Sequence, residues 1–297
     1  MKSLIRFRKD SQTGFVKLFS ELCNSKSSWE VWADFVVMSA IAISNAFNPK
    51  GPTHDAREQE YMRTIQRYTK AEQQIFPKLL AATVEALEAE PDQDFLGVLF
   101  MGLNLGNHWK GQFFTPYNIS RMIAEIQLCG IEFRLKKKGW VGINDPCCGA
   151  GALLIAARNI MVREKLAPTS ALYVAQDIDR TAALMCYIQL SLLGCAGYVV
   201  VADTFRHPLS GYGNSPLLNS PTPEQEVWLT PALYDETWCA RMQLEKMRLI
   251  LEHLGKLDFE QKTKSVSENG KETGMSPDVR TMSQTLNESA WGQLKLF

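Results

Sequence analysis

The stretch from Asn144 to Leu154, reading Asn-Asp-Pro-Cys-Cys-Gly-Ala-Gly-Ala-Leu-Leu, constrains the fold of this chain more than any other. Ahead of it, Trp140 to Ile143 reads as a short strand; behind it, Ala150 to Val162 carries apolar residues at helical spacing. The sequence therefore predicts strand, glycine turn and helix, with a ligand at the junction. Gly149 and Gly151 lack a Cβ, which permits a tight turn and close approach to a bound molecule. The helix beyond offers unpaired N–H groups to a carboxylate or phosphate. Asp145, at the strand end, can accept from an ammonium or from loop amides. Turns of this kind also arise for packing alone.

Two later segments weigh toward the ligand. Leu172 to Ala175 reads as a second strand running into Gln176-Asp177-Ile178-Asp179, and an acid at the tip of a second strand is where a nucleotide-binding sheet holds ribose hydroxyls. Tyr198 to Ala202 reads as a third strand ending in Asp203-Thr204. Asp145, Asp177 and Asp203 would then stand at the carboxyl ends of three parallel strands, the edge at which open α/β sheets bind ligands.

With these residues in place, the sequence resembles the S-adenosylmethionine-dependent DNA methyltransferases that modify adenine N6, and among them the modification subunit of type I restriction systems. Gly111-Gln112-Phe113-Phe114-Thr115-Pro116 is similar to that family's cofactor motif ahead of the first strand, and Asp145-Pro146-Cys147-Cys148-Gly149-Ala150-Gly151 to its Asp-Pro-x-Cys-Gly-x-Gly turn. The resemblance runs from Asp94 to Asp203. It implies S-adenosylmethionine as cofactor, held by Thr115, Pro116, Asp145, Pro146, Cys147, Gly149, Gly151, Asp177, Ile178 and Asp203, with Asp177 on the ribose and Asp203 receiving the adenine amino group. It also implies an α/β fold, a Rossmann-like methyltransferase sheet behind an α-helical domain, with DNA as partner.

Composition is compatible with that reading without demanding it. The chain's 297 residues, 45% hydrophobic and 22% charged, suffice for one substantial core. Thirty-two basic and 32 acidic residues leave no net charge, so any contact with DNA must come from a local patch. Lys136-Lys137-Lys138 is a candidate, although a short lysine run before a strand also reads as a solvated turn. Seven cysteines without Cys-x-x-Cys spacing, and four scattered histidines, indicate neither a disulfide framework nor a metal site. Reduced thiols fit a soluble protein of the cytoplasm. The apolar run from Phe35 to Ile43 is short for a membrane span, and no cleavable signal is evident.

Three domains are expected: residues 1–107 helical, 108–257 methyltransferase-like, and 258–297 a linker carrying a terminal peptide. Apolar residues return at three and four along Phe15 to Cys23, Trp29 to Phe47, Ala56 to Tyr68, Ala71 to Ala89 and Asp94 to Leu103, with breaks at Pro49, Gly51, Pro52 and Pro91. Trp29 to Phe47 is apolar nearly all round and belongs at the centre of the bundle. In the related modification subunits a helical region helps embrace DNA and partner subunits; a bundle that only buttresses the sheet is the other reading. Helices are also expected at Asn118 to Cys129, where Thr115 could serve as a cap or bond the methionine carboxylate, and at Arg180 to Leu193.

After Asp203 the pattern changes. Phe205 to Pro223 is rich in proline and glycine and reads as a loop, and Glu226 to Leu229 as a fourth strand running into Thr230-Pro231-Ala232-Leu233. This is where the family carries Asn or Asp, Pro, Pro, aromatic. There an amide or carboxylate and a backbone carbonyl accept the two protons of the adenine amine, and the aromatic ring stacks on the flipped base. Thr230 and Pro231 would be a degenerate version of that pair, since a hydroxyl accepts weakly and Leu233 cannot stack. Asn214-Ser215-Pro216 and Asn219-Ser220-Pro221 read as turns. Asp235 to Leu257 reads as one amphipathic helix after which the fold ends, so the sheet is expected to be small, completed by a partner, or reduced. Sequence-specific base readout by this chain alone is not expected, and a partner subunit could supply target recognition.

The polar stretch Asp258 to Glu288 reads as a flexible linker. Gln293-Leu294-Lys295-Leu296-Phe297 resembles the peptide by which bacterial replication and repair proteins bind the sliding clamp, with Leu294, Leu296 and Phe297 as apolar anchors and Gln293 as an orienting hydrogen-bonder. The other reading is a terminus docked on its own protein. Together these features point to an adenine-N6 DNA methyltransferase-like protein of restriction-modification or mobile-element type, tethered to the clamp. The alternatives are a non-catalytic module that binds cofactor and DNA, or methylation of a different acceptor.

Overall fold

The structure, a computed structural model, describes residues 9–24, 26–105, 113–209, 215–268 and 293–295, with side chains as far as residue 253. Six helices come first: α1 (Asp10–Leu22), α2 (Ser28–Phe47), α3 (Pro52–Ile65), α4 (Lys70–Gln73), α5 (Ile75–Ala89) and α6 (Phe95–Gly102). Their starts are written in the sequence: Ser27 accepts the Glu30 N–H at 3.2 Å, Pro52 opens α3, and Thr69 with Glu72 forms a capping box on α4. The single helix expected over Ala71 to Ala89 is two. Pro77 has no N–H to bond back across Gln74, and the helix restarts at Ile75.

Helix α2, at 20 residues and a mean hydropathy of 1.3, is long and apolar enough by length and composition to cross a membrane, which corrects the shorter run expected there. Its packing is that of a core helix. Val31, Trp32, Phe35, Val36 and Ala40 are fully buried, and α2 lies against α3 and against α10 (Arg180–Leu192) of the sheet layer. Phe15 meets Phe35, Trp32 and Phe95 edge-on, at ring separations of 5.4, 5.9 and 5.9 Å.

The sheet layer contains α7 (Tyr117–Gln127), α8 (Ile131–Lys138), β1 (Val141–Asp145), α9 (Ala152–Arg163), β2 (Ala171–Asp177), α10, β3 (Gly197–Val201), β4 (Glu226–Leu229), α11 (Glu236–Glu268) and β5 (Gln293–Lys295). The strand order is β4-β3-β2-β1-β5. The strands β1, β2, β3 and β5 are mutually parallel and β4 runs against β3, with Tyr198 opposite Leu229. The apolar runs of the parallel strands are buried on both faces. In β2, Ala171, Tyr173 and Ala175 join the core shared with α9, α10 and the N-terminal helices, while Leu172 and Val174 face a second core built from Trp140, Tyr198, Val200, Leu233 and Trp238.

Lys136, Lys137 and Lys138 close a helix instead of lying in a turn, and the Lys138 ammonium sits 4.6 Å from the centre of the Trp140 ring. Residues 258–268 continue α11, where a linker was expected. Residues 293–295 pair with Gly142, Ile143 and Asn144 on the outer edge of β1; Leu296 and Phe297 lie outside the described residues.

The helical region and the sheet share one core that runs from Phe15 to Trp228. Two arginines reinforce the junction. Arg180, at the start of α10, reaches Glu60 of α3 at 2.8 and 3.0 Å and Glu226 of β4 at 2.8 and 2.9 Å. Arg57 of α3 donates to the Val227 carbonyl at 2.8 Å and to Ser44 at 2.7 Å, with its guanidinium 3.5 Å from the centre of the Trp228 ring.

Candidate functional site

The turn between β1 and α9 is held from three strands. Asp145 Oδ1 accepts the Cys147 N–H at 3.1 Å, and Asp177 Oδ2, from the tip of β2, accepts the Gly149 N–H at 2.8 Å. The Thr204 hydroxyl, just beyond β3, donates to the Pro146 carbonyl. Acids on neighbouring strands thus take alternate amides of one turn, so the local chain direction and both carboxylates are fixed together. Asp203 is set apart from these two: its Oδ1 accepts the N–H groups of Phe205 and Arg206 at 2.9 and 3.3 Å, closing its own turn. The three strand-tip acids expected from the sequence do lie along one sheet edge, at the carboxyl ends of β1, β2 and β3.

Asp145 is fully buried, and its Oδ2 has no hydrogen-bond partner among the described residues. Burial pushes this carboxyl up to about 6; the neighbouring Asp177 charge adds to the rise and the Cys147 amide opposes it. Asp177 is also raised, chiefly by burial, although its oxygens accept the amides of Gly149 and Asp179, the latter at 2.9 Å. An orphaned buried carboxylate oxygen beside a helix start calls for a cationic donor. Helix α9 begins at Gly151 without a side-chain cap, so its first amides are available to a carboxylate. One end of the turn suits an ammonium and the other a carboxylate, the two charges of an α-amino acid.

Gly149 and Gly151 both have left-handed backbone, at φ 52° and 95°. A Cβ on Gly149 would lie 3.0 Å from the Phe114 ring, and one on Gly151 would lie 2.8 Å from Cys186 Sγ. Among the described residues, then, the close approaches at these glycines are to protein side chains. Phe114 stacks on Phe100 at 5.3 Å, so the Phe113 to Pro116 segment lies across the turn, as its sequence suggests. Thr115 is exposed and does not cap the helix that follows; Pro116 is the N-cap of α7, its carbonyl accepting the Ile119 and Ser120 amides at 2.9 and 3.1 Å. Large apolar side chains stand exposed at this edge: Phe113 at 68%, Ile178 at 69% and Phe205 at 94%. Cys147 is exposed, and the partial burial of its thiol and the charges of Asp177 and Asp145 raise it above the ordinary cysteine value.

The structure does not bring Thr230 and Pro231 to this edge, which corrects the expectation of a catalytic pair there. Because β4 is antiparallel to β3, its end lies at the amino ends of the parallel strands. The Thr230 hydroxyl is fully buried, accepting the Gly197 N–H at 2.9 Å and lying 2.7 Å from the Cys195 carbonyl. It fastens β4 to the start of β3.

Two polar residues that position the turn were not singled out from the sequence. Gln189 of α10 donates from one amide nitrogen to Asp94 at 2.8 Å and to the Ala150 carbonyl at 2.9 Å, and its oxygen accepts the Leu96 N–H at 3.1 Å. Gln176 donates to the carbonyls of Ala202 and His207 at 3.2 and 2.9 Å, while its backbone carbonyl accepts the Cys148 N–H at 2.9 Å. Gln176, near the end of an apolar strand, was the available signal. A buried glutamine there requires partners.

Residues 104–246 match the family model for N-6 DNA methylases. The type I restriction enzyme MpnII methylase subunit of Mycoplasma pneumoniae is 32% identical over 82 residues, which cover 28% of this chain and 14% of that protein. The chain thus aligns with a small part of this curated relative's length. A protein of Listeria monocytogenes described as a class I S-adenosylmethionine-dependent methyltransferase superposes with a TM-score of 0.33 at 14% identity, covering 64% of this chain and 52% of the other. The match over residues 104–246 supports the N6-adenine methyltransferase family, whose cofactor is S-adenosylmethionine.

Proposed function

We propose that the chain binds S-adenosylmethionine at the carboxyl edge of β1 to β3 and acts in adenine-N6 methylation of DNA, in a restriction-modification or mobile-element setting. The observation that carries this reading is the buried Oδ2 of Asp145, which has no hydrogen-bond partner among the described residues, beside the start of α9, which has no side-chain cap. Asp145 would receive the ammonium of the methionine moiety and the α9 amides its carboxylate. Asp177 would take the ribose while holding the turn, and Ile178 would lie against the adenine, with Thr115 and Pro116 at the rim. When bound, the cofactor supplies an electrophilic methyl group. Asp203, at the tip of the third strand, stands where a target amine would enter. Calorimetry with S-adenosylmethionine tests the binding, and transfer of labelled methyl to DNA, with Asp145→Ala as control, tests the activity. Absence of binding by folded protein would remove the proposal.

A second reading is favoured by the position of Thr230. With residues 226–234 at the far edge of the sheet, the chain would hold cofactor and DNA without completing methyl transfer alone, as one subunit of a larger assembly. Labelled methyl appearing on DNA with the purified chain would exclude it. The proposal also includes a tether to the DNA sliding clamp through Gln293, Leu294, Leu296 and Phe297. Since 293–295 lie along β1, clamp binding requires that strand to leave the sheet. Deletion of 293–297 should abolish capture of the clamp in a pull-down, and undiminished capture would dismiss the tether.

A further inference from the structure

A cavity of about 870 Å³ lies at the β4 side of the sheet, between the α2–α3 connection, the 217–221 loop and α11. That volume is within the range of small-molecule sites. Its walls are mostly apolar, with Leu217, Leu218, Val227, Leu229 and Met242 among them, and Tyr198 and Tyr234 add aromatic surface. Two features are out of place in an ordinary packing defect. Both amide atoms of Asn219 are buried and have no hydrogen-bond partner among the described residues. And among the described residues no acidic side chain lines the cavity, whereas Lys50, His54, Arg57 and Lys246 do.

An orphaned amide is costly unless a ligand completes it, because a buried donor and acceptor each forfeit their bonds to water. A hydrocarbon would leave both unpaired. The complement of a side-chain amide is a flat edge with a donor and an acceptor side by side, which a nucleobase presents. Tyrosine rings offer surfaces on which a base stacks. Arg57 is committed to Ser44 and the Val227 carbonyl, but Lys50 and Lys246 have no ion pair among the described residues, and ammonium groups at the rim suit a phosphate.

We infer that this cavity binds a nucleotide, with the base edge on Asn219 and the phosphate toward Lys50 and Lys246. The site is separate from the cofactor edge, because β4 lies on the far side of β3 and β2 from β1. The inference does not depend on the proposed methylation. The nucleotide has two sources, a free deoxynucleotide or a base of single-stranded DNA.

The test is calorimetric titration of the full chain, in saturating S-adenosylmethionine, with deoxynucleoside monophosphates and with a short single-stranded oligodeoxynucleotide. Saturable binding of either probe is expected; binding of the monophosphate alone assigns a free nucleotide, and tighter binding of the oligonucleotide assigns DNA. Asn219→Ala should weaken the binding about tenfold or more. The double substitution Lys50→Ala, Lys246→Ala should flatten its salt dependence. Because Asn219 lies in a loop, a thermal melt of each variant checks folding, and Met242→Trp, which fills the cavity from α11, gives a second test by blocking binding. Failure of folded wild type to bind either probe, unchanged affinity in both Asn219→Ala and Met242→Trp, or displacement of the nucleotide by S-adenosylmethionine would overturn the inference.

Discussion

Asp177 Oδ2 accepts the Gly149 N–H at 2.8 Å, so the tip of β2 clamps the turn that leaves β1. The same carboxylate also closes its own loop through the Asp179 N–H at 2.9 Å. Asp177→Ala removes both bonds at once. Each hydrogen bond to a charged group is worth about 1.5–3 kcal/mol. The variant should melt several degrees lower and lose S-adenosylmethionine affinity by about a hundredfold. Unaltered affinity in calorimetry would separate Asp177 from the cofactor.

Asp145 gives a pH dependence with a definite sign. Its folded carboxyl is raised from 3.8 to about 6, so the folded protein holds this proton more tightly than the unfolded chain. The associated stability is present below about pH 4 and lost as pH rises through about 6. In ligand-free protein, Asp145→Asn should therefore match wild type near pH 3.5 and exceed it at pH 8, by up to about 3 kcal/mol. Melting curves across that range decide the point. A cationic ligand needs the ionised form, so cofactor affinity should fall as pH drops through about 6 in wild type.

The two turn glycines should not tolerate alanine. At Gly149 the new methyl would meet the Phe114 ring at 3.0 Å in left-handed backbone, and at Gly151 it would meet Cys186 Sγ at 2.8 Å. Each substitution should cost about 1–3 kcal/mol from backbone strain. Adding Cys186→Ala to Gly151→Ala should restore part of the loss by relieving the clash but not the strain. Denaturant unfolding of the single and double variants measures the difference.

Thr230→Val tests the position of β4. The buried hydroxyl serves Gly197 and Cys195 at the start of β3, so its loss should destabilise the fold by about 1–3 kcal/mol. Cofactor affinity, measured below the melting temperature, should be unchanged. A selective loss of methyl transfer with stability intact would return Thr230 to the chemistry.

The parallel strands and the glycine turn were legible because doubly buried strands read as unbroken apolar runs and left-handed backbone reads as glycine. The direction of β4 was not. A run such as Glu-Val-Trp-Leu carries no mark of parallel or antiparallel pairing, and the long loop before it admits either. Helix α8 escaped notice because it is short and mostly exposed, with Phe133 78% exposed and only Ile131 buried. The bridge from Gln189 to Asp94 joins residues far apart in the chain, and neither carries a local signal of the other.

Arg180 has a consequence beyond rigidity. One guanidinium answers carboxylates from α3 and from β4, so Glu60 and Glu226 are tolerable side by side only while Arg180 stands between them. Replacing the arginine alone sets two negative charges against each other, and replacing one glutamate alone leaves the cation with fewer acceptors. Across the descendants of this sequence, positions 60, 180 and 226 should therefore drift as a trio, an evolutionary signature linking the first helices to the antiparallel strand at the sheet's border.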